Sequence, residues 1–408
     1  MGRDWGLRAR KRIRARLLPV LYRAHLHRPL DPDLVVHGAY WNRGVACNPA
    51  AIHAKALELV PRMRHVWVVG SRHTARVPSG VEYVVAGSRA YWRVMATATY
   101  LVNNSSFPGG FSKRAGQVYL QTHHGTPLKS MGLDQRRYPE SARGMDFDKV
   151  LAHVRQWDFS LAANPHAAEV WDRVYPGGAY EHLHLGQPRN DRYFSATSDD
   201  IAAIRASLGI PSGSRVLLYA PTHRDDGASR FVPPLDLARF VREIGDEYVL
   251  LVRAHYFHGV SAGLAAAHPR VVDVTAHPRV EDLCLASDAL ITDYSSLLFD
   301  YACLDRPIVV HAPDWEDYRA TRGTYFDLLS GRPGDAPGAV STSDDELIGL
   351  FRDGGWDSAA SGRLRTAFRA RFCPYDDGRA AERVVRRLFL NEGPSPGLNE
   401  GPSPGWTG

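Results

Sequence analysis

Ala289-Leu-Ile-Thr-Asp-Tyr-Ser-Ser-Leu-Leu-Phe-Asp300 is the stretch that decides the fold. Ala289–Thr292 is short and almost wholly apolar, as a buried strand requires. Asp293-Tyr-Ser-Ser296 is a polar turn, and Leu297–Leu304 reads as a helix. Strand, turn and helix in that order form half of a βαβ unit. The pattern recurs on both sides. Strands are predicted at Val216–Tyr219, Val249–Val252, Val271–Val274 and Ile308–His311, with helices at Asp199–Leu208, Leu235–Ile244 and Val280–Ala286. Upstream, strands are predicted at Leu34–His37, His65–Val69, Glu82–Val85, Tyr100–Asn103, Val118–Gln121, Phe159–Ala162 and His182–Leu185, with helices such as Asn48–Leu59 and Ser88–Ala96. Asp344 to about Leu390 reads as helical.

The chain has 408 residues, and a single core rarely exceeds roughly 250–300, so two α/β domains are expected. The polar stretch Gly186–Ser198 sets the boundary, giving an N-terminal unit over 32–193 and a C-terminal unit over 194–390. With 44% hydrophobic and 23% charged residues, the chain is not mostly disordered. Residues 391–408 hold two Pro/Gly/Ser-rich copies, Asn391–Gly397 and Asn399–Gly405, which cannot bury a core and are expected to be disordered.

The net charge of +6 invites a nucleic-acid partner, but much of the excess lies in residues 1–31. There Arg3, Arg8, Arg10, Lys11, Arg12, Arg14, Arg16 and Arg23 interleave with Leu7, Ile13, Leu17, Leu18, Val20, Leu21 and Tyr22. That mixture fits a basic amphipathic helix on an anionic membrane surface; a solvated arm without a partner is the plainer alternative. No secretory leader and no run of about 20 apolar residues is evident. Cys47, Cys284, Cys303 and Cys373 are scattered without a CxxC pair, so neither a thiolate metal site nor a disulfide framework is expected, and a reducing cytosol is the simplest compartment.

Ligands of open α/β sheets bind beyond the carboxyl ends of the strands. Five predicted strands end in chemically capable residues: Thr122-His-His-Gly-Thr-Pro-Leu-Lys129, Gly186-Gln-Pro-Arg-Asn-Asp191, Ala220-Pro-Thr-His-Arg-Asp225, Arg253-Ala-His-Tyr256 and Asp293-Tyr-Ser-Ser296. The last presents hydroxyls at a helix start, suited to phosphate, although Ser295 or Ser296 could simply cap the helix. Arg189, Arg224 and Arg253 could neutralise an anionic ligand, against the commoner fate of a surface ion pair. His124, followed by Gly125, Thr126 and Pro127 and near Lys129, could act as a general base. No GxxxxGK[ST] loop or GxGxxG fingerprint is present, which argues against a P-loop enzyme and a dinucleotide enzyme. Asp146-Phe-Asp148 has carboxylate-pair spacing but is too short a match to carry a metal, so no metal or cofactor is expected.

Together, Thr122–Lys129, Gly186–Asp191, Ala220–Arg224, Ile291–Asp300, Pro307-Ile308 and Arg322-Gly-Thr-Tyr325 resemble the CDP-glycerol glycerophosphotransferase family, the teichoic-acid primases and polymerases with related capsule enzymes. The motifs follow family order over roughly residues 95–335. The resemblance implies a GT-B-type architecture of two Rossmann-like domains facing a central cleft, the second binding the CDP-polyol. It also implies transfer of glycerol phosphate from CDP-glycerol to a hydroxyl of a polyprenyl-diphosphate-linked or glycan acceptor, with release of CMP, at the cytoplasmic face of the membrane. By that resemblance His124 is the base and His255 a second important histidine. Donor contacts fall at His123, Gly125, Thr126, Pro127, Arg189, Pro221, Thr222, Arg253, Ser295, Ser296 and Asp300; Arg224 is added from charge and placement. Two departures stand out. His123 occupies a position where the family has Trp, so the base could shift between two adjacent histidines. Ala254 and Tyr256 flank His255 where the family has Leu and Pro. CDP-ribitol as donor, a nucleotide-sugar glycosyltransferase, and a membrane-surface binding protein with a degenerate cleft are the competing readings.

Overall fold

The computed structural model describes Val20 and residues 22–222, 233–254 and 268–393. Two parallel sheets organise them. The first comprises β1 (Asp31–Gly38), β2 (Arg64–Val69), β3 (Tyr83–Val85), β4 (Ala98–Asn103), β5 (Val118–Gln121), β6 (Phe159–Ala162) and β7 (Glu181–His184), in the order β3-β2-β1-β4-β5-β6-β7. The second comprises β8 (Arg215–Tyr219), β9 (Tyr248–Val252), β10 (Val271–Asp273), β11 (Ala289–Thr292), β12 (Ile308–His311) and β13 (Ala339–Ser341), in the order β10-β9-β8-β11-β12-β13.

The strand sequences explain this arrangement. Side chains alternate between sheet faces. Leu34 and Val36 enter one core and Val35 another, while Val216 and Leu218 separate from Leu217 and Tyr219 in the same way. Both faces are covered by helices, so the strands read as continuous apolar runs rather than alternating ones. Local signals start several helices: Asn164 caps Pro165–Val174 with proline at the first position, and Thr197 forms a reciprocal capping box with Asp200 at Ser198–Ser207. Asp146 is likewise a helix cap, accepting the Lys149 N–H at 3.1 Å.

Several expectations need correction. Strand β13 was not anticipated; it is three residues long and partly polar. The helical stretch after Asp344 is broken into Asp344–Arg352, Ala359–Phe372 and Ala380–Phe389. The last of these does not belong with the second sheet. Val384, Val385 and Leu388 pack with Val35, Ile52 and Ala56 of the first unit, so the chain crosses back near Cys373–Arg379. Tyr22, expected on a membrane-facing arm, is instead buried against Trp92 and Phe111, with its hydroxyl donating to the Ser112 carbonyl at 2.6 Å. Residues 1–19, Leu21, Arg224, His255 and 394–408 lie outside the described residues, and with them most of the basic arm and the repeat tail. Among the described residues no helix is long and apolar enough to cross a membrane.

Backbone bonds join the two units. Lys129 and Thr324 form an antiparallel bridge, flanked by Ser130 N–H to the Gly323 carbonyl (3.1 Å) and Tyr325 N–H to the Leu128 carbonyl (2.9 Å). Gly323 adopts φ of 65°, and a Cβ there would collide with Ser130 Oγ and the Tyr138 ring. The Arg322-Gly-Thr-Tyr325 motif is therefore a seam between units.

Candidate active site

In each sheet the strand order reverses at one point, between β1 and β4 in the first and between β8 and β11 in the second. The helices leave in opposite directions there, opening a crevice at the strand ends. The first crevice is lined by the turn after β1, by Asn103–Ser105 after β4 and, one strand on, by His123–His124 after β5. The second is lined by Pro221 and Thr222 after β8 and Asp293–Ser296 after β11. Asp293 closes it by accepting the Thr222 N–H at 2.8 Å.

The two crevices meet at Gly125. Its φ is 147°, and a Cβ there would lie 3.0 Å from Ser296 Oγ and 3.4 Å from the Arg189 guanidinium. Only glycine allows this approach. His124 is thereby carried to the boundary between the units. Its Nδ1 lies 2.9 Å from the Asn104 carbonyl, which can only accept, so Nδ1 carries the proton and Nε2 keeps its lone pair. Burial, followed by the positive charges of Arg189 and Lys129, holds the imidazole below its ordinary range, against the opposing Asn104 bond. A neutral imidazole with a free Nε2 lone pair is the form a general base requires.

The neighbouring histidine has a different fate. His123 is buried, stacks on Trp171 at 4.2 Å and 10°, meets the edge of Trp157, and hydrogen-bonds Ser160 Oγ through Nε2 at 3.0 Å. Burial keeps it far below its ordinary pKa. It is a flat aromatic in a stack, the job a tryptophan would also do, and its Nε2 is engaged by Ser160.

Arg189 and Asp300, both expected among the donor contacts, hold each other: Nη2 to Oδ2 at 2.7 Å, with both side chains 6% exposed. Arg189 Nη1 also donates to the His124 carbonyl and to Cys47 Sγ, both at 2.9 Å. The pair thus ties the Leu297–Ala302 helix of the second unit to the peptide that bears His124. Thr126 Oγ1 is taken by the Asn164 amide at 2.8 Å, and the Pro127 carbonyl by His166 Nε2 at 2.9 Å, so these two residues shape the loop. Ser295 Oγ accepts the Leu297 N–H at 3.3 Å, while Ser296 makes no side-chain cap and faces Gly125. Arg253 donates to the His277 carbonyl at 2.9 Å, and burial lowers its pKa.

A family model for CDP-glycerol:poly(glycerophosphate) glycerophosphotransferase matches residues 20–390. The chain belongs to this family. The teichoic acid poly(glycerol phosphate) polymerase of Bacillus subtilis (strain 168) is 31% identical over 377 residues, covering 89% of this chain and 50% of that protein. The teichoic acid glycerol-phosphate transferase of Staphylococcus aureus (strain NCTC 8325 / PS 47) is 31% identical over 373 residues, covering 88% of this chain and 93% of the relative. The chain thus spans about half of the first relative and nearly all of the second. A histidine-to-asparagine variant of the wall teichoic acid polymerase TagF superposes with a TM-score of 0.83 at 28% identity, covering 95% of this chain and 96% of that one. The same variant soaked with CDPG superposes at 0.80 and 26% identity, with the same coverage.

Within the glycerophosphotransferase framework, sequence reasoning overlooked three residues. Asn104 sets the His124 tautomer, yet it does so through a backbone carbonyl, which leaves no trace in residue type. Asp293 was read as part of a turn, but its carboxylate fastens β8 to β11. Glu281 starts a helix beside the site and interacts with Arg189, Arg253 and Asp300; burial raises its pKa. Tertiary contact also joins two of the scattered cysteines. Cys303 and Cys373 lie 3.4 Å apart, with Asp376 grouped beside them where the chain crosses back, a cluster that could hold a metal ion despite the absence of CxxC spacing.

Proposed function

We propose that this chain transfers glycerol phosphate from CDP-glycerol to an acceptor hydroxyl and releases CMP. The observation that carries this function is the His124 imidazole, with Nδ1 protonated against Asn104, at the meeting of the two switch points. Support also comes from family membership and from the CDPG-soaked TagF structure.

In the proposed step the acceptor oxygen bonds to the β-phosphorus of CDP-glycerol. The bond from that phosphorus to the bridging oxygen breaks, and CMP leaves with the bridging oxygen. The acceptor proton passes to His124 Nε2. Phosphoryl transfer is dominated by positioning and neutralisation of phosphate oxygens. Ser295, Ser296, Thr222, Arg253, Arg224 and His255 are assigned to the donor phosphates. Arg189 acts through His124, holding its carbonyl and anchoring Asp300. The chemistry is assigned to side chains of this chain, with no resident cofactor. A polyprenyl-diphosphate-linked or glycan acceptor at the cytoplasmic membrane face completes the proposal, and the arginine-rich residues before Tyr22 suit an anionic surface.

The test is CMP release from CDP-glycerol, CDP-ribitol and a UDP-sugar with a lipid-linked saccharide acceptor. CDP-glycerol should be the preferred donor, and His124→Ala should lose about 10²–10⁴-fold in rate. CDP-ribitol preference would rename the donor. Turnover of the UDP-sugar alone, or an indifferent His124→Ala, would overturn the proposal.

A further inference from the structure

The turn that follows β1 is unusual in its backbone. Tyr40, Trp41 and Asn42 have φ of 45°, 54° and 67°, three successive non-glycine residues in the left-handed region. Each costs on the order of 1–2 kcal/mol there and persists only if its surroundings enforce it. Here they do. Tyr40 N–H donates to Asn104 Oδ1 at 2.8 Å, Trp41 N–H to Ser105 Oγ at 2.9 Å, and the Asn42 carbonyl accepts the Gly70 N–H at 2.7 Å. Asn104 therefore does two things at once: its carbonyl orients His124 and its side chain orients this turn. The enforced turn leaves the Trp41 side chain out in solvent, with the residue 52% exposed, while its ring stands edge-on to His124 at 6.0 Å. Packing alone gives no reason to strain a backbone in order to present a bare indole.

The surroundings of the turn are basic. His73, bonded through its N–H to the Gly70 carbonyl, lies in the field of Arg76, Arg43 and Arg72. Arg72 and Arg76 are exposed, and neither is ion-paired among the described residues. An exposed aromatic ring on a turn with a basic cluster nearby fits a ligand with a C–H-rich body and anionic links.

We propose that the Tyr40–Asn42 turn is the acceptor subsite, packing a phosphodiester-linked polyol chain on the Trp41 indole with its phosphates toward Arg72 and Arg76. This rests on the proposed function, because it takes His124 as the base that the terminal hydroxyl must reach. Trp41 is then a contact residue for the acceptor and has no part in holding the nucleotide.

The probe is a soluble glycerol phosphate trimer, titrated calorimetrically into the full chain, with CDP-glycerol titrated in parallel. Trp41→Ala should weaken trimer binding about tenfold, and Trp41→Phe should recover most of it. Arg72→Glu with Arg76→Glu should weaken the trimer further and flatten its salt dependence. The dissociation constant of CDP-glycerol should not move in any of them. In turnover, the Trp41→Ala loss should fall on KM for the acceptor. Equal trimer affinity in the parent chain and Trp41→Ala, or no trimer binding to the parent chain, overturns the inference. Failure of the chain to bind CDP-glycerol, or His124→Ala with full CMP release, overturns the proposed function instead.

Discussion

Replacing Asp300 by alanine should loosen the joint between the two units. The carboxylate lies 2.7 Å from Arg189 Nη2, with both side chains 6% exposed. Two charges about 4 Å apart at an effective dielectric of about 20 attract by about 4 kcal/mol, and removing one member of a buried pair typically costs about 3–5 kcal/mol. Arg189 keeps two other acceptors, the His124 carbonyl and Cys47 Sγ, which places the expected cost near the lower end, about 3 kcal/mol. Urea unfolding followed by tryptophan fluorescence measures it; the chain has nine tryptophans. Arg189→Met with Asp300→Ala removes both charges and should recover most of that stability, giving a coupling energy of at least about 2 kcal/mol. Activity should not recover, because the guanidinium that holds the His124 carbonyl is gone. A loss below about 1 kcal/mol for Asp300→Ala, or no recovery in the double variant, would mean that the pair is solvated and does not fasten the units.

Three further outcomes follow from the same geometry. His124 is held below its ordinary pKa, chiefly by burial, and its neutral form is the base; kcat/KM should therefore be flat at neutral pH and fall only as pH drops through a value below 6.5, and a limb at or above that value would contradict the assignment. Gly323→Ala combines φ of 65° with a Cβ that meets Ser130 Oγ and the Tyr138 ring, so it should destabilise the chain by about 1–3 kcal/mol in thermal unfolding, whereas Gly331→Ala, also at positive φ but with nothing nearby, should cost less. His65, which clusters with the buried His37 and His53, is held down to about 4 by burial and by His53. Its unfolded form binds a proton more readily, so stability should be intact above about pH 6.5 and fall towards pH 4, by at most about 3 kcal/mol from this residue; His65→Asn should flatten that slope in urea titrations at successive pH values.

The parallel sheets were legible because buried parallel strands are continuous apolar runs, and because polar residues collect where such strands end. That logic located twelve of the thirteen strands among the described residues and missed the short β13, whose residues carry no such run. It also brought out the loops at His124, Thr222 and Ser296, since ligand chemistry demands polar residues at strand ends whatever the neighbours. What it could not resolve was which of two equivalent-looking residues does what. His123 and His124 are the same residue type one position apart, and only packing sends one into the Trp171 stack and the other to the boundary.

By itself, then, the amino-acid sequence determined the alternation of strands and helices, two sheets, and the family motifs, because these depend on periodicity and on residue types close along the chain. Pairings between distant positions were left to tertiary structure. Asp300 meets Arg189 across 111 residues, Cys303 meets Cys373 across 70, and the Ala380–Phe389 helix returns to cover β1. Asn104 orients both His124 and the Trp41 turn, one through a carbonyl and one through an amide oxygen. Such contacts are set by how two sheets stack and where the chain crosses between them, and backbone carbonyls are identical in every residue, so no local pattern in the sequence encodes them.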